Sequence, residues 1–316
     1  MAIEEQEKIH HRPRAVEGRY ILPDRSTARY IRAAPEGTPN RTPVVLAPGF
    51  GETSRTFIEP AEELAALGHD TFAISHTTEL NDKDLQPLHD RAIAEVRARY
   101  AHLAPRRLNA LLKGVRLPEF RKALALKTFI EAEVRRAGYT GRVNVIGHSQ
   151  GGAYALVAAF LWPHLFDRLI LINPAGQNGP VPYSTLFWRF QGNLAERLKE
   201  NPDKMMTPAL RTVWYMLQRS LYWGRAKAEG QSLASFNAYP YLLALKDVGP
   251  HIRRVTVVDY TDSIFWHNEV KEAEAREATG LGISPFGERI SVDSKGHYGL
   301  VEEPERFANI FDDLLK

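Results

Sequence analysis

The chain has 316 residues, 44% of them hydrophobic and 25% charged, with a formal net charge of +3. This is the make-up of a globular protein with one large domain and an insertion, or two small domains, and the charge is too small to argue for nucleic acid. With no cysteine present, disulfides, thiolate metal sites and a cysteine nucleophile are excluded. The stretch 1–14 is charged, carries His10 and His11 and has no apolar run, so no secretory signal and a cytoplasmic location are expected. The longest apolar stretch, 153–162, is about half a bilayer-spanning helix.

In chain order, 18–33 reads as two strands around Pro23-Asp24, able to form an antiparallel edge. Short β-branched runs follow. Val44-Val45-Leu46-Ala47 ends in Pro48-Gly49-Phe50-Gly51, and Thr71-Phe72-Ala73-Ile74 comes next. Val143-Asn144-Val145-Ile146 runs into Gly147, and Leu169-Ile170-Leu171-Ile172 stops at Asn173-Pro174. Val255-Thr256-Val257-Val258 stops at Asp259, and Arg289-Ile290-Ser291-Val292 is last. Continuous apolar runs without polar alternation mark strands covered on both faces, hence a mostly parallel sheet. Helical patterns lie between them. One covers 57–67 and ends at Gly68, a second starts at Pro118, a third covers 150–161, and a last one starts at Pro304 with Phe307, Ile310, Phe311, Leu314 and Leu315 on one face. Strands alternating with helices predict a doubly wound α/β fold.

Two stretches exceed an ordinary crossover and read as helical insertions: about 77–117 and about 175–249. Within the second, Thr207 suits an N-cap, Pro208 a first helical position, and Leu210, Val213, Trp214, Leu217 and Leu221 share a face. The expected organisation is a core of 1–174 and 250–316, with 175–249 as a helical cap over the carboxyl edge of the sheet.

Gly147-His148-Ser149-Gln150-Gly151 fits G-x-S-x-G between a predicted strand and a predicted helix. A nucleophile on so sharp a turn needs neighbours without side chains, and the helix start aims its first N–H groups where a negative oxygen develops. Alone, the pattern arises by chance in roughly one chain of this length in ten; the flanking strand and helix reduce that sharply. The bland reading is a glycine-rich packing turn with a capping serine.

A serine hydroxyl needs a base. His297, in Lys295-Gly296-His297-Tyr298-Gly299, follows the last strand and precedes the last helix, where a loop can lay an imidazole over the sheet edge. His267 is the competitor, and His148 is expected to point its ring away from the serine side chain. The third group must orient the imidazole. Asp262, just past the strand at 255–258, gives the order serine, acid, histidine expected of such a site. Asp259 stays open as the alternative, and a turn-forming aspartate is the bland reading of either.

These residues resemble the α/β-hydrolase superfamily, its esterase, lipase and haloperoxidase-like members with a helical cap, from about residue 42 onward. Leu46-Ala47-Pro48-Gly49-Phe50-Gly51 is similar to the family's His-Gly-Phe-Gly oxyanion loop, with Pro48 where histidine is usual. The resemblance implies that the backbone N–H groups of Phe50 and Gln150 form an oxyanion hole, and that 175–249 is the cap, with aromatic residues such as Tyr183, Phe187, Trp188 and Phe190 that either line a pocket or hold the cap together. It further implies ester hydrolysis through an acyl-enzyme on Ser149 without metal or organic cofactor, on a small-molecule ester or lipid-like substrate. Acyl transfer, carbon–carbon bond hydrolysis by the same triad, and a non-catalytic ligand-binding homologue are the alternatives. Lastly, 91–127 holds ten basic and two acidic residues; contact with an anionic membrane surface is one expectation, a solvated face balanced by acids elsewhere the other.

Overall fold

The structure, a computed structural model, describes residues 12–37, 41–75, 82–200, 202–203, 223–261, 264–265, 273, 288–295, 297 and 299–316. The predicted helix at 207–221, Asp262, His267, Gly296 and Tyr298 lie outside them. Eight strands form one sheet: β1 Val16–Ile21, β2 Thr27–Ala33, β3 Val44–Ala47, β4 Thr71–Ile74, β5 Val143–His148, β6 Phe166–Ile172, β7 Arg254–Thr261 and β8 Glu288–Lys295, in the order β1-β2-β4-β3-β5-β6-β7-β8. β1 pairs antiparallel with β2, and β2 antiparallel with β4. All other pairs are parallel.

The strand sequences explain this. Successive side chains point to opposite faces, and here both faces are apolar. Val45, Ala47, Val143, Val145, Leu169 and Leu171 belong to one core cluster. Val44, Leu46, Ile146, Ile170 and Ile172 belong to the other. The first face is covered by α4 (Leu117–Phe129) and α5 (Gln150–Leu161). The second is covered by α1 (Ile58–Ala66) and the C-terminal α10 (Pro304–Leu315), which brings Phe307, Phe311 and Leu314 inward. α5 is buried on every side, which matches its uniformly apolar sequence.

The crossover from β4 to β5 carries α2 (Asp82–Arg99), α3 (Pro105–Lys113) and α4. The crossover from β6 to β7 carries α6 (Tyr183–Glu200), α7 (Trp223–Ala234) and α8 (Tyr239–Val248). A short α9 (Gly299–Glu302) precedes α10. No helix among the described residues is long and apolar enough to cross a membrane. Among the described residues, four of the ten cations of 91–127 are paired with carboxylates: Arg107 with Asp247, Arg121 with Asp82, Lys122 with Glu229, and Lys127 with Glu131.

The topology fixes where a site belongs. The chain leaves β3 towards β4 on one side, then returns past β3 to place β5 on the other. The loops after β3 and β5 therefore leave neighbouring strands and open a crevice at their carboxyl ends, where ligands of such sheets bind.

Phe129 at the end of α4 is fully buried and meets Tyr20, Tyr30 and Phe72 with ring centroids 5.1, 5.1 and 5.8 Å away. It locks the antiparallel edge to the parallel part of the sheet. Phe129→Ala is expected to cost about 3–5 kcal/mol, read as a lower urea midpoint with an unchanged slope.

Candidate active site

β5 ends at His148 and α5 begins at Gln150, leaving Ser149 alone to reverse the chain. Its backbone stands at φ 54°, ψ −118°. That conformation is costly for a residue with a Cβ and persists only where the surroundings impose it. Here they do. Ser149 N–H donates to Ile172 O at 2.9 Å, while Ser149 O accepts from Gly152 N–H at 3.0 Å and from Ala175 N–H at 2.9 Å. Close packing of the turn requires its glycines. A Cβ on Gly147 would stand 2.8 Å from the Gly151 carbonyl carbon, one on Gly152 would stand 2.7 Å from Pro174, and one on Gly151 would overlap Ala47 O. Ser149 is 1% exposed, and its Oγ has no hydrogen-bond partner among the described residues.

The loop after β3 lies against this turn. A Cβ on Gly49 would be 3.1 Å from Ser149 Cβ and 2.8 Å from Glu52 Oε2. The loop is closed by Glu52 N–H on Gly49 O at 3.3 Å and by Gly49 N–H on Glu52 Oε2. Tyr154 Oη on Pro48 O at 3.4 Å ties it to α5, and Gly51 takes φ 78°.

His297, 2% exposed, stands on the other side of His148. Its carbonyl oxygen lies 2.9 Å from His148 Nε2, and the two rings are 4.7 Å apart. Phe190 of α6 packs edge-on against the His297 imidazole at 5.7 Å and also faces Phe50 and Phe265, with centroids 6.2 and 6.1 Å away. Arg197 of α6 makes a buried bidentate ion pair with Glu302 of α9, one bond measuring 2.7 Å. The helix that covers the site is thereby fastened to the segment that follows His297.

Asp259, the candidate acid that lies within the described residues, is occupied elsewhere. Gln177 Nε2 donates to its Oδ1, and the Arg289 guanidinium lies 3.2 Å from its Oδ2. Asp262 follows Thr261, and Thr261 pairs with Lys295 in the β7–β8 register, two residues before His297.

Two polar groups carry no motif and were not legible in the sequence. Glu52 directly follows the Pro48–Gly51 turn and points back into it. The second is a buried cluster over the start of α5. Lys122 of α4 is paired with Glu229 of α7 and donates to Gln150 Oε1, while Gln150 Nε2 donates to Glu229 Oε1 at 3.1 Å. Beside them Ser232 Oγ donates to Glu119 Oε2. Charged residues at these positions look like solvent-facing helix residues until α7 covers them. His148 is the third surprise: its ring turns to Glu52 and to the His297 carbonyl, so the residue next to the serine is part of the site. Among the described residues no three His, Asp or Glu side chains are arranged to hold a metal ion.

The comparisons agree with this architecture. Residues 44–310 match the model of the alpha/beta hydrolase family, and the chain belongs to that family. No curated protein matches it. The fold is shared with solved structures of low identity. A membrane phospholipase A, described as a bacterial virulence factor, is 16% identical with a TM-score of 0.59, covering 95% of this chain and 86% of its own. A serine hydrolase involved in carbazole degradation is 18% identical with a TM-score of 0.55, covering 95% and 98%. The N-formylmaleamic acid deformylase of Pseudomonas putida S16 is 16% identical with a TM-score of 0.56, covering 94% and 99%.

Three predictions follow from the local chemistry. Gly151→Ala, whose new methyl meets the β3 backbone, should destabilise by the upper part of the ~1–3 kcal/mol overpacking range or more. Gly141→Ala, with nothing within 4 Å of its added carbon, should leave the melting temperature unchanged or slightly raised. For Glu119, burial is the largest influence and pushes the carboxyl from an ordinary 4.5 up to about 7, against the bond from Ser232. The folded chain thus holds a proton there that the unfolded chain releases above its own lower value. This contribution is present below about 4.5 and is lost as pH rises through about 7. Between pH 5 and 8 the wild type should lose on the order of 2–3 kcal/mol that Glu119→Gln does not lose, read from urea midpoints at both values.

Proposed function

We propose that the chain is a serine hydrolase that cleaves carboxylic esters, with Ser149 as nucleophile, His297 as general base and Asp262 as the acid that orients the imidazole. The observation that carries the reading is the Ser149 turn. A buried hydroxyl without a hydrogen-bond partner among the described residues is held in a strained backbone conformation at the crevice of the sheet, beside a helix N-terminus and the His297 loop. Strain of this kind clusters at reacting centres. The β7–β8 register supports Asp262, since it brings the residue before Asp262 opposite the residue two before His297. The engagement of Asp259 by Gln177 and Arg289 supports the same choice.

In this reading the ester carbonyl enters between Ser149 and the Pro48–Gly51 loop. His297 takes the hydroxyl proton as Ser149 Oγ attacks, the hydrogen bond between them forming when substrate fills the site. The N–H of Gln150, the first of α5 and without an intrahelical partner, and the N–H of Phe50 hold the oxyanion. His297 then returns its proton to the departing alcohol, and water repeats the sequence on the acyl-enzyme. Residues 175–249 act as a cap. The aromatic surroundings of His297, namely Phe50, Phe190 and Phe265, suit an apolar or lipid-like acyl ester, and the phospholipase A among the structural neighbours is consistent with that class.

A fluorophosphonate probe should label the folded wild-type chain at one residue, Ser149, and nitrophenyl esters of graded acyl length should be turned over. Ser149→Ala should abolish labelling and lower kcat/KM at least about a thousandfold. Retained turnover in that variant would contradict the assignment.

A further inference from the structure

We infer that Glu52 and His148 are positioning residues of the proposed hydrolase, joining the loop that presents Phe50 N–H and the loop that carries His297 into one unit. This rests on the Ser149–His297 reading above. The connection is a single chain of hydrogen bonds. Gly49 N–H donates to Glu52 Oε2, the same oxygen lies 3.0 Å from His148 Nδ1, and His148 Nε2 lies 2.9 Å from His297 O. All three side chains are buried.

The bonding fixes the protons. A carbonyl oxygen only accepts, so Nε2 of His148 carries hydrogen. The 3.0 Å contact between His148 Nδ1 and Glu52 Oε2 then holds one proton shared by the two groups. Glu52 and His148 carry that proton as one hydrogen-bonded pair. Burial on its own would raise the Glu52 carboxyl, but the charge and hydrogen bond of His148 and the Gly49 N–H outweigh it and hold it below the ordinary carboxylate range. Such charge-assisted bonds are short and directional.

The location gives this pair its consequence. His148 is the last residue of β5 and is continuous with the nucleophile. The two loops it touches through Glu52 and directly are built on glycine, Gly49 and Gly51 in one and Gly296 in the other. Glycine leaves backbone freedom, and a displacement of about 1 Å in a reacting group costs about a hundredfold in rate. The pair refers both loops to the rigid strand that carries Ser149. It holds the two loops in place and does not line the path of the substrate, so its effect falls on the chemical step and leaves binding alone.

The test measures kcat and KM on a nitrophenyl ester for Glu52→Gln, His148→Gln and the double variant, each checked by circular dichroism and by a melting temperature above the assay temperature. The single variants should lower kcat about ten- to a hundredfold with KM within about threefold. The double variant should lose about as much as the worse single, because one chain is broken twice. Folded single variants with kcat within about twofold of wild type, or losses that multiply in the double, overturn the inference. If Glu52→Gln is not recovered folded, His148→Gln decides by the same kcat criterion. Wild-type protein that labels with the fluorophosphonate while the variants stay fully active sinks this inference alone. Wild-type protein that does not label sinks the hydrolase reading together with it.

Discussion

The structure depends on a single backbone reversal. Ser149 is held at a positive φ that a residue with a Cβ adopts at a cost of about 1–3 kcal/mol, and the surrounding molecule is shaped to make that conformation unavoidable. Gly147, Gly151 and Gly152 let α5 start against β3 and Pro174 without a side chain in between. The uniformly apolar α5 then has one place to go, the face of the sheet behind the turn. The parallel strand order leaves the crevice open at the carboxyl ends of β3 and β5. Fold and site are consequences of the same packing constraint.

Around that turn the protein spends ionic groups where apolar ones would pack more easily. Glu52 with His148, Lys122 with Glu229, and Arg197 with Glu302 are all buried. Buried ion pairs contribute little net stability, because desolvation offsets the attraction, but they tolerate few alternative arrangements. Each one joins a segment outside the sheet to a different part of the candidate site: the loop after β3 to the His297 loop, α7 to Gln150 beside Ser149, and α6 to the helix after His297. The three together fix how the crossover helices and loops seat on the sheet edge.

Much of this was readable in the sequence. The parallel strands announced themselves because both faces are covered, so runs such as Leu169-Ile170-Leu171-Ile172 lack polar alternation. The Gly147–Gly151 turn was readable because its steric demand leaves a fixed residue pattern, and Pro23-Asp24 marked the antiparallel edge. Glu52, Lys122 and Glu229 were not readable. Each is a charged residue in a stretch that would suit solvent, and its burial is decided by a partner 28 to 107 positions away, counted from Lys122 to Gln150 and from Lys122 to Glu229. The partners of His148 were not readable for a related reason: the strand period orients its ring, but only the tertiary arrangement supplies Glu52 and the His297 carbonyl for it to meet. Likewise, local pattern favoured Asp262 and left Asp259 open, and the engagement of Asp259 by Gln177 and Arg289 comes from long-range contacts that no local pattern carries.

The most direct test is a crystal structure of the chain after reaction with a fluorophosphonate. The account predicts phosphorus bonded to Ser149 Oγ, its phosphoryl oxygen about 2.7–3.1 Å from the N–H groups of Phe50 and Gln150, and the His297 imidazole facing Ser149 Oγ with Asp262 behind it. A phosphonate on Ser149 whose oxygen turns away from both N–H groups, or an imidazole of His297 directed elsewhere, would contradict it.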